Sequence, residues 1–150
     1  MTLKSTVLAA ALSLVSAICF AGTPDGMAEL DRIFAELAGN RIEVDYSFSL
    51  MQNEVPVLCS GHAVFQQKYF HISGNGLEIF NDGTTITYMD FEAKEAYVES
   101  AVRMEDYIKE NLKSVRDLKI SNFRKLPESD DLSAFKAPEP GPEWVMTDLR

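Results

Sequence analysis

The chain has 150 residues, with 23 acidic against 14 basic side chains and a net charge of −9. That excess of carboxylates repels phosphate backbones and anionic membrane surfaces, which argues against nucleic acid as a partner. With two cysteines and two histidines there is little from which to build covalent or metal chemistry.

Lys4 is followed by an uncharged apolar run from Val7 to Phe20, then by small residues at Ala21 and Gly22. This is the layout of a cleaved signal peptide. The run is too short for a membrane span, and Gly22-Thr23-Pro24-Asp25-Gly26 ends it at once. A lipidation site at Cys19 is disfavoured, because bulky Ile18 stands where a small residue is wanted. The expected organisation is a leader over 1–21 and one exported domain over 22–150, whose C-terminal segment 127–150 is extended. Losing Lys4 leaves the exported chain more acidic still, as suits solubility. Losing Cys19 leaves Cys59 without a disulfide partner, and it reads as a small buried hydrophobe in a strand.

Residues 23–40 predict a helix. Thr23 or Asp25 can cap it, Pro24 suits the first turn, and Gly39-Asn40 supplies the stop. Met27, Leu30, Ile33, Phe34 and Leu37 share one stripe at helical spacing, expected to meet the concave face of a sheet. From Ile42 the period becomes two: Ile42, Val44, Tyr46, Phe48 and Leu50 point one way, Glu43, Asp45, Ser47 and Ser49 the other. Asn53-Glu54 is the next turn. Val55 to Gln66 is a second strand, in which Gly61 marks a bulge or bend.

Lys68 to Ser73, Leu77 to Phe80, Thr84 to Asp90 and Lys94 to Glu99 continue a meander of about six strands, with turns at Gly74-Asn75-Gly76 and Asp82-Gly83. Between Val102 and Val115 the period is helical again, with Met104, Tyr107, Ile108, Leu112 and Val115 on one side. Asp117 to Lys125 is a further strand. The tail after Pro127 is acidic and carries Pro138, Pro140 and Pro142, so it is extended, and Trp144-Val145 can pin it to the sheet. The fold class expected is α+β: a curved antiparallel sheet of about seven strands, an incomplete barrel, covered by an N-terminal helix and a second short helix.

Three stretches carry a family resemblance. Gly61-His62-Ala63-Val64-Phe65 with Lys68-Tyr69-Phe70-His71-Ile72 forms a glycine-opened strand, a turn and an aromatic strand. Asn81-Asp82-Gly83-Thr84-Thr85-Ile86-Thr87-Tyr88 is close to a D-G-K-T-x-W-x-Y hairpin. Phe135-Lys136-Ala137-Pro138 through Val145-Met146-Thr147-Asp148-Leu149-Arg150 is similar to a closing F-x-x-P…V-x-D-x-R. In this order, behind a leader and an opening helix, they resemble the outer-membrane lipoprotein carrier (LolA-like) family across nearly the whole exported chain, as a shortened member. The resemblance implies a periplasmic, non-catalytic carrier or chaperone of the Gram-negative envelope. Such a protein shields lipoprotein acyl chains, or other lipid, in an apolar cavity under helices and makes transient contacts with membrane proteins. Where that family has a basic residue that locks its lid, this chain has Gln66-Gln67.

The residues expected to line such a cavity are Phe34, Val44, Tyr46, Phe48, Leu50, Phe65, Phe70, Ile79 and Tyr88. Most come from an aromatic strip of Tyr46, Phe48, Phe65, Phe70, Phe80 and Tyr88. The competing reading of that strip is an ordinary sheet-on-helix core. No catalytic residue, metal or cofactor is expected. His62 has the strand parity opposite to Cys59, and His71 neighbours no carboxylate at strand spacing. Asp82, Asp90 and Glu92 lack the ligand spacing of a calcium loop and are explained by turn chemistry. Glu128 with Asp130-Asp131 is a solvated loop. The alternative function is an envelope protein–protein interaction module, built on the same sheet without a lipid cavity and using its outer face or the Pro138–Trp144 stretch.

Overall fold

The computed structural model describes residues 24–150, with side chains from Ala28 onward. The leader expected over 1–21 and the caps expected at Thr23 and Asp25 lie outside the described residues or side chains, as does the Met27 side chain.

The first helix, α1 (Pro24–Glu36), is followed by six strands in a continuous meander: β1 (Asn40–Gln52), β2 (Val55–Gln66), β3 (Tyr69–Gly74), β4 (Leu77–Asn81), β5 (Thr85–Asp90) and β6 (Glu95–Ser100). After these come α2 (Met104–Leu112), β7 (Arg116–Pro127), a 3₁₀ turn (Ser133–Phe135) and β8 (Val145–Asp148). They form one open eight-stranded sheet in the order β7-β1-β2-β3-β4-β5-β6-β8. The expected α+β class, with an open strand array and two helices, is what the chain adopts. The eighth strand lies within the tail that reads as merely extended, and it joins β6 in parallel, the one parallel pair among the described strands.

Turn chemistry sets the meander. Asn53 (φ 49°) and Glu54 (φ 65°) are both left-handed, as the twist-matched two-residue hairpin between β1 and β2 requires. Asn75 (φ 53°) and Gly76 (φ 79°) do the same between β3 and β4. Asn81 Oδ1 accepts from Gly83 N–H, and Asp82 Oδ1 accepts from Thr84 and Thr85 N–H, each at 2.9 Å. Asp90, almost fully buried, takes the amides of Glu92 at 3.0 Å and Ala93 at 2.9 Å. These carboxylates are therefore turn caps. Gly61 is not a bulge: β1 and β2 stay in register through Tyr46↔Gly61, and the shifts fall between β1 and β7 instead.

Parity separates two layers. On the inner face Ile42, Val44, Ala63, Phe65, Phe70, Ile86 and Tyr88 form the main core with Leu30 and Ile33 of α1, Leu37 just after it, and Met104 and Ile108 of α2. The α1 stripe therefore points where its spacing predicts. The helix stops at Glu36, where Asn40 Nδ2 donates to the Glu36 carbonyl at 2.9 Å and Gly39 turns at φ 75°. Because β6 and β7 lie towards opposite margins of the sheet, the connection through α2 carries the chain across its inner side.

The chain then returns over the outer face. There Phe80, Met89 and Ala96 pack with Phe91, Ala137 and Trp144 into a second, smaller core. Phe135 is fully buried, stacked on Tyr69 at 5.7 Å with the Arg41 guanidinium 5.2 Å from its ring. The Val145 amide bonds to the Lys94 carbonyl at 2.9 Å, so the tail is pinned at the position its Trp-Val pair predicts. Phe80 consequently leaves the expected aromatic strip. It precedes inward-facing Asn81 and follows inward-facing Ile79, and alternation turns it outward.

Candidate functional site

Between the inner face of the sheet and the two helices lies an apolar cavity of about 220 Å³. Its sheet wall is built from Val44, Tyr46, Phe48 and Leu50 of β1, Cys59, Ala63 and Phe65 of β2, and Ile72, Leu77 and Ile79 of β3 and β4. Leu118 and Ile120 of β7 close one side. Leu30 and Ile33 of α1, with Tyr107, Ile108, Leu112 and Val115 of α2 and the turn after it, form the cover. No lining residue is charged. The polar lining groups are the Tyr46 and Tyr107 hydroxyls, the Cys59 thiol and the side chains of Asn75 and Asn111.

Six of the nine expected residues meet here: Val44, Tyr46, Phe48, Leu50, Phe65 and Ile79. The other three pack around the cavity without lining it. Phe70 is sealed from solvent and stacks on Tyr107 at 5.2 Å. Tyr88 is buried beside the same ring at 6.4 Å, and its hydroxyl donates to Glu99 at 3.3 Å. Phe34 sits at the margin of the core with the Lys109 ammonium 5.8 Å from its ring. For Phe70 and Tyr88 the reason is that α2 lies over that part of the sheet, so Tyr107 packs on them; Phe34, on α1, meets the Lys109 side of α2 instead.

Sequence reasoning missed the contribution of α2. Its stripe of Tyr107, Ile108, Leu112 and Val115 is visible as helical spacing, but nothing local says that the stripe is wider than the surface it covers.

The cavity wall is held by a close crossing of glycine backbones. The Tyr46 hydroxyl donates to the Ser73 carbonyl at 3.1 Å and lies over Gly61 and Gly74, where any side chain would collide with it. Tyr46 and Phe48 stack at 5.8 Å, nearly parallel, making one aromatic ledge. Burial pushes the Tyr46 phenol up to about 12, helped by nearby Cys59, and burial does the same to Tyr107. The Cys59 thiol is also raised by burial, against a smaller opposing hydrogen bond from Asn75. A raised thiol is mostly protonated near neutral pH, which makes it a poor nucleophile.

Gln66, only 2% exposed, faces the tail, not a helix. Its Oε1 accepts from Arg41 Nε at 2.9 Å and from Ser129 N–H at 3.1 Å, and its Nε2 donates to the Ser129 carbonyl at 2.8 Å. Gln67 turns at φ 52° between β2 and β3. Both histidines are on the outer face and both are partnered. His62 Nδ1 is 2.8 Å from Asp45 Oδ1, and Asp45 is held below the usual carboxylate range by Asn122 first and His62 second. His71 Nε2 lies 2.9 Å from Glu78 Oε1. The expectation that His71 has no carboxylate neighbour is thus corrected: the β3–β4 pairing brings Glu78 diagonally across from it.

Among the described residues, no three His, Cys, Asp or Glu side chains are grouped to hold a metal, and no helix is long and apolar enough to cross a membrane. Compared with known proteins, the chain matches no family model and no curated sequence.

Proposed function

We propose that this protein is an exported, periplasmic carrier that holds lipid or lipoprotein acyl chains in the cavity beneath its helices, as its resemblance to outer-membrane lipoprotein carriers implies. The observation that carries this reading is the lining: aliphatic and aromatic side chains from β1 to β4, β7 and both helices, without one charged group. Such a surface stabilises hydrocarbon and offers no positive charge to pair with a carboxylate or phosphate, so the head of the ligand stays outside. The thiol in the wall, Cys59, has its pKa raised by burial, which makes it a weak nucleophile.

Size limits the guest. A volume of about 220 Å³ equals roughly seven water-sized units, a methylene being of similar bulk. The cavity therefore takes the end of one chain, and a longer stretch enters only as the helices shift. At about 0.8 kcal/mol per methylene, that end contributes on the order of 5 kcal/mol before the cost of association. Capture of this strength is reversible, as carriage requires.

The test is mass spectrometry of material extracted from exported protein, alongside Phe48→Asp. Phe48 is partly exposed on the wall, where a carboxylate can keep contact with water. Co-purified lipid is expected in the parent and a loss of at least tenfold in the variant. Parent protein that yields no lipid, or a folded variant that retains it, refutes the reading.

A further inference from the structure

The β1–β2 hairpin reaches beyond its neighbours. On one side β7 stops pairing with β1 at Ser49↔Arg116, and on the other β3 pairs with β2 only from His62 onward. The end of the hairpin, Leu50 to Leu58, is thus a two-stranded ribbon flanked by no further described strand. It is apolar on both faces. Parity sends Leu50, Val55 and Val57 to the inner side and Met51, Pro56 and Leu58 to the outer. Met51 is 44% exposed, Val55 60% and Leu58 71%. Between Tyr46 and Gly61 the sole charged residue is Glu54, at the turn itself.

We propose that this hairpin tip docks the protein on a lipid bilayer by shallow insertion into the interface. A flat protein partner covers one face of a ribbon, whereas a bilayer surrounds both, and here both are apolar. The reach fits as well. Beyond Ser49 the β1 arm runs three residues to Gln52, about 10 Å at strand rise, against an interfacial depth of roughly 5–10 Å. Deeper insertion is disfavoured because the outer backbone groups of an isolated ribbon have no partners in hydrocarbon. Arg116 and Lys119, exposed and paired with Ser49 and Ser47, stand on β7 at the base of the tip, at headgroup level. The net charge of −9 opposes adsorption through charge, so the contact is apolar and works on neutral lipid.

The tip is also continuous with the cavity. Leu50 belongs to both and Phe48 follows it along the same face of β1, so a chain leaving the bilayer along the ribbon meets the aromatic ledge without crossing open water. That last consequence rests on the carrier reading; the docking does not.

Leader-free exported protein, its N-terminus verified by mass, is floated with phosphatidylcholine vesicles in physiological salt and compared with Met51→Ser/Val55→Ser/Leu58→Ser. None of the three residues lines the cavity. The parent is expected to float and the triple variant to partition at least tenfold less, with apolar dye uptake retained. Leu58→Trp supplies a second readout that does not depend on the triple variant folding. The fluorescence of the introduced indole is expected to be quenched by brominated phosphatidylcholine, while the sole native tryptophan, Trp144 on the opposite margin of the sheet, is not. Parent protein that stays unbound, a folded triple variant that floats equally, or an introduced indole that escapes quenching overturns the proposal. Loss of self-association in the triple variant, with no vesicle binding by the parent, assigns the tip to a protein contact and also overturns it. Flotation without lipid or dye uptake by the cavity rejects the carrier reading and leaves the docking intact.

Discussion

Gly61→Ala tests how the cavity wall is held. A Cβ at this position would lie well inside contact distance of the Ser73 carbonyl oxygen, 2.8 Å from the Ser73 carbonyl carbon and 2.6 Å from the Tyr46 hydroxyl. Two of these atoms are backbone and cannot rotate away, so β2 and β3 must part or the Tyr46 ring must move. Overpacking of this kind costs about 1–3 kcal/mol. Displacing the phenol also breaks its 3.1 Å hydrogen bond to Ser73, worth roughly another 1 kcal/mol. The expected destabilisation is about 3 kcal/mol, or on the order of 10 °C in thermal midpoint for a domain of this size. Urea denaturation should show the midpoint falling with an unchanged slope.

Gly39→Ala is the control. A Cβ there meets nothing within 4 Å, and the substitution strains only the φ of +75°, about 1 kcal/mol. Gly61→Ala within about 1 kcal/mol of the parent would show that the strands have slack at the crossing and that the wall is not set by glycine contact.

Two further outcomes follow from other parts of the molecule. Phe135→Ala should cost about 3–5 kcal/mol through the cavity it leaves between Tyr69 and Arg41. Hydrogen exchange should then quicken across 128–148 while apolar dye uptake persists; unchanged exchange in that stretch contradicts the pinning described. Tyr46 and Tyr107 each bind their proton more tightly folded than unfolded, up to about 12. Their contribution is therefore fully present below pH 10 and is lost as pH rises from 10 towards 12. An alkaline titration compared with Tyr46→Phe and Tyr107→Phe should show the phenolate absorbance of these two rings arriving together with unfolding; either ring ionising in a still-folded protein near pH 10 would mean that it is not desolvated.

Legibility followed periodicity. Strands β1 to β6 were readable because alternation and left-handed turn residues such as Asn53, Asn75 and Gly83 mark both the runs and their ends. The inward set Val44, Tyr46, Phe48 and Leu50 needed only parity. Strand β8 left no such trace: four residues in an edge position bury too little to impose alternation, and its parallel partner lies some fifty positions back in the chain. The split between lining and packing residues was equally hidden. Phe65 and Phe70 are adjacent on paired strands and share a face, yet one lines the hollow and the other is plugged by Tyr107. That difference depends on where α2 crosses, which only the tertiary arrangement fixes. The His71–Glu78 contact needed the β3–β4 register.

The tail that crosses the back of the sheet gives the two sides of the molecule separate duties. Phe135, Ala137 and Trp144 clamp the strands from behind through contacts that share no residue with the hollow in front. On the carrier reading proposed above, a guest entering on the side that faces α1 and α2 would meet a sheet already braced from behind.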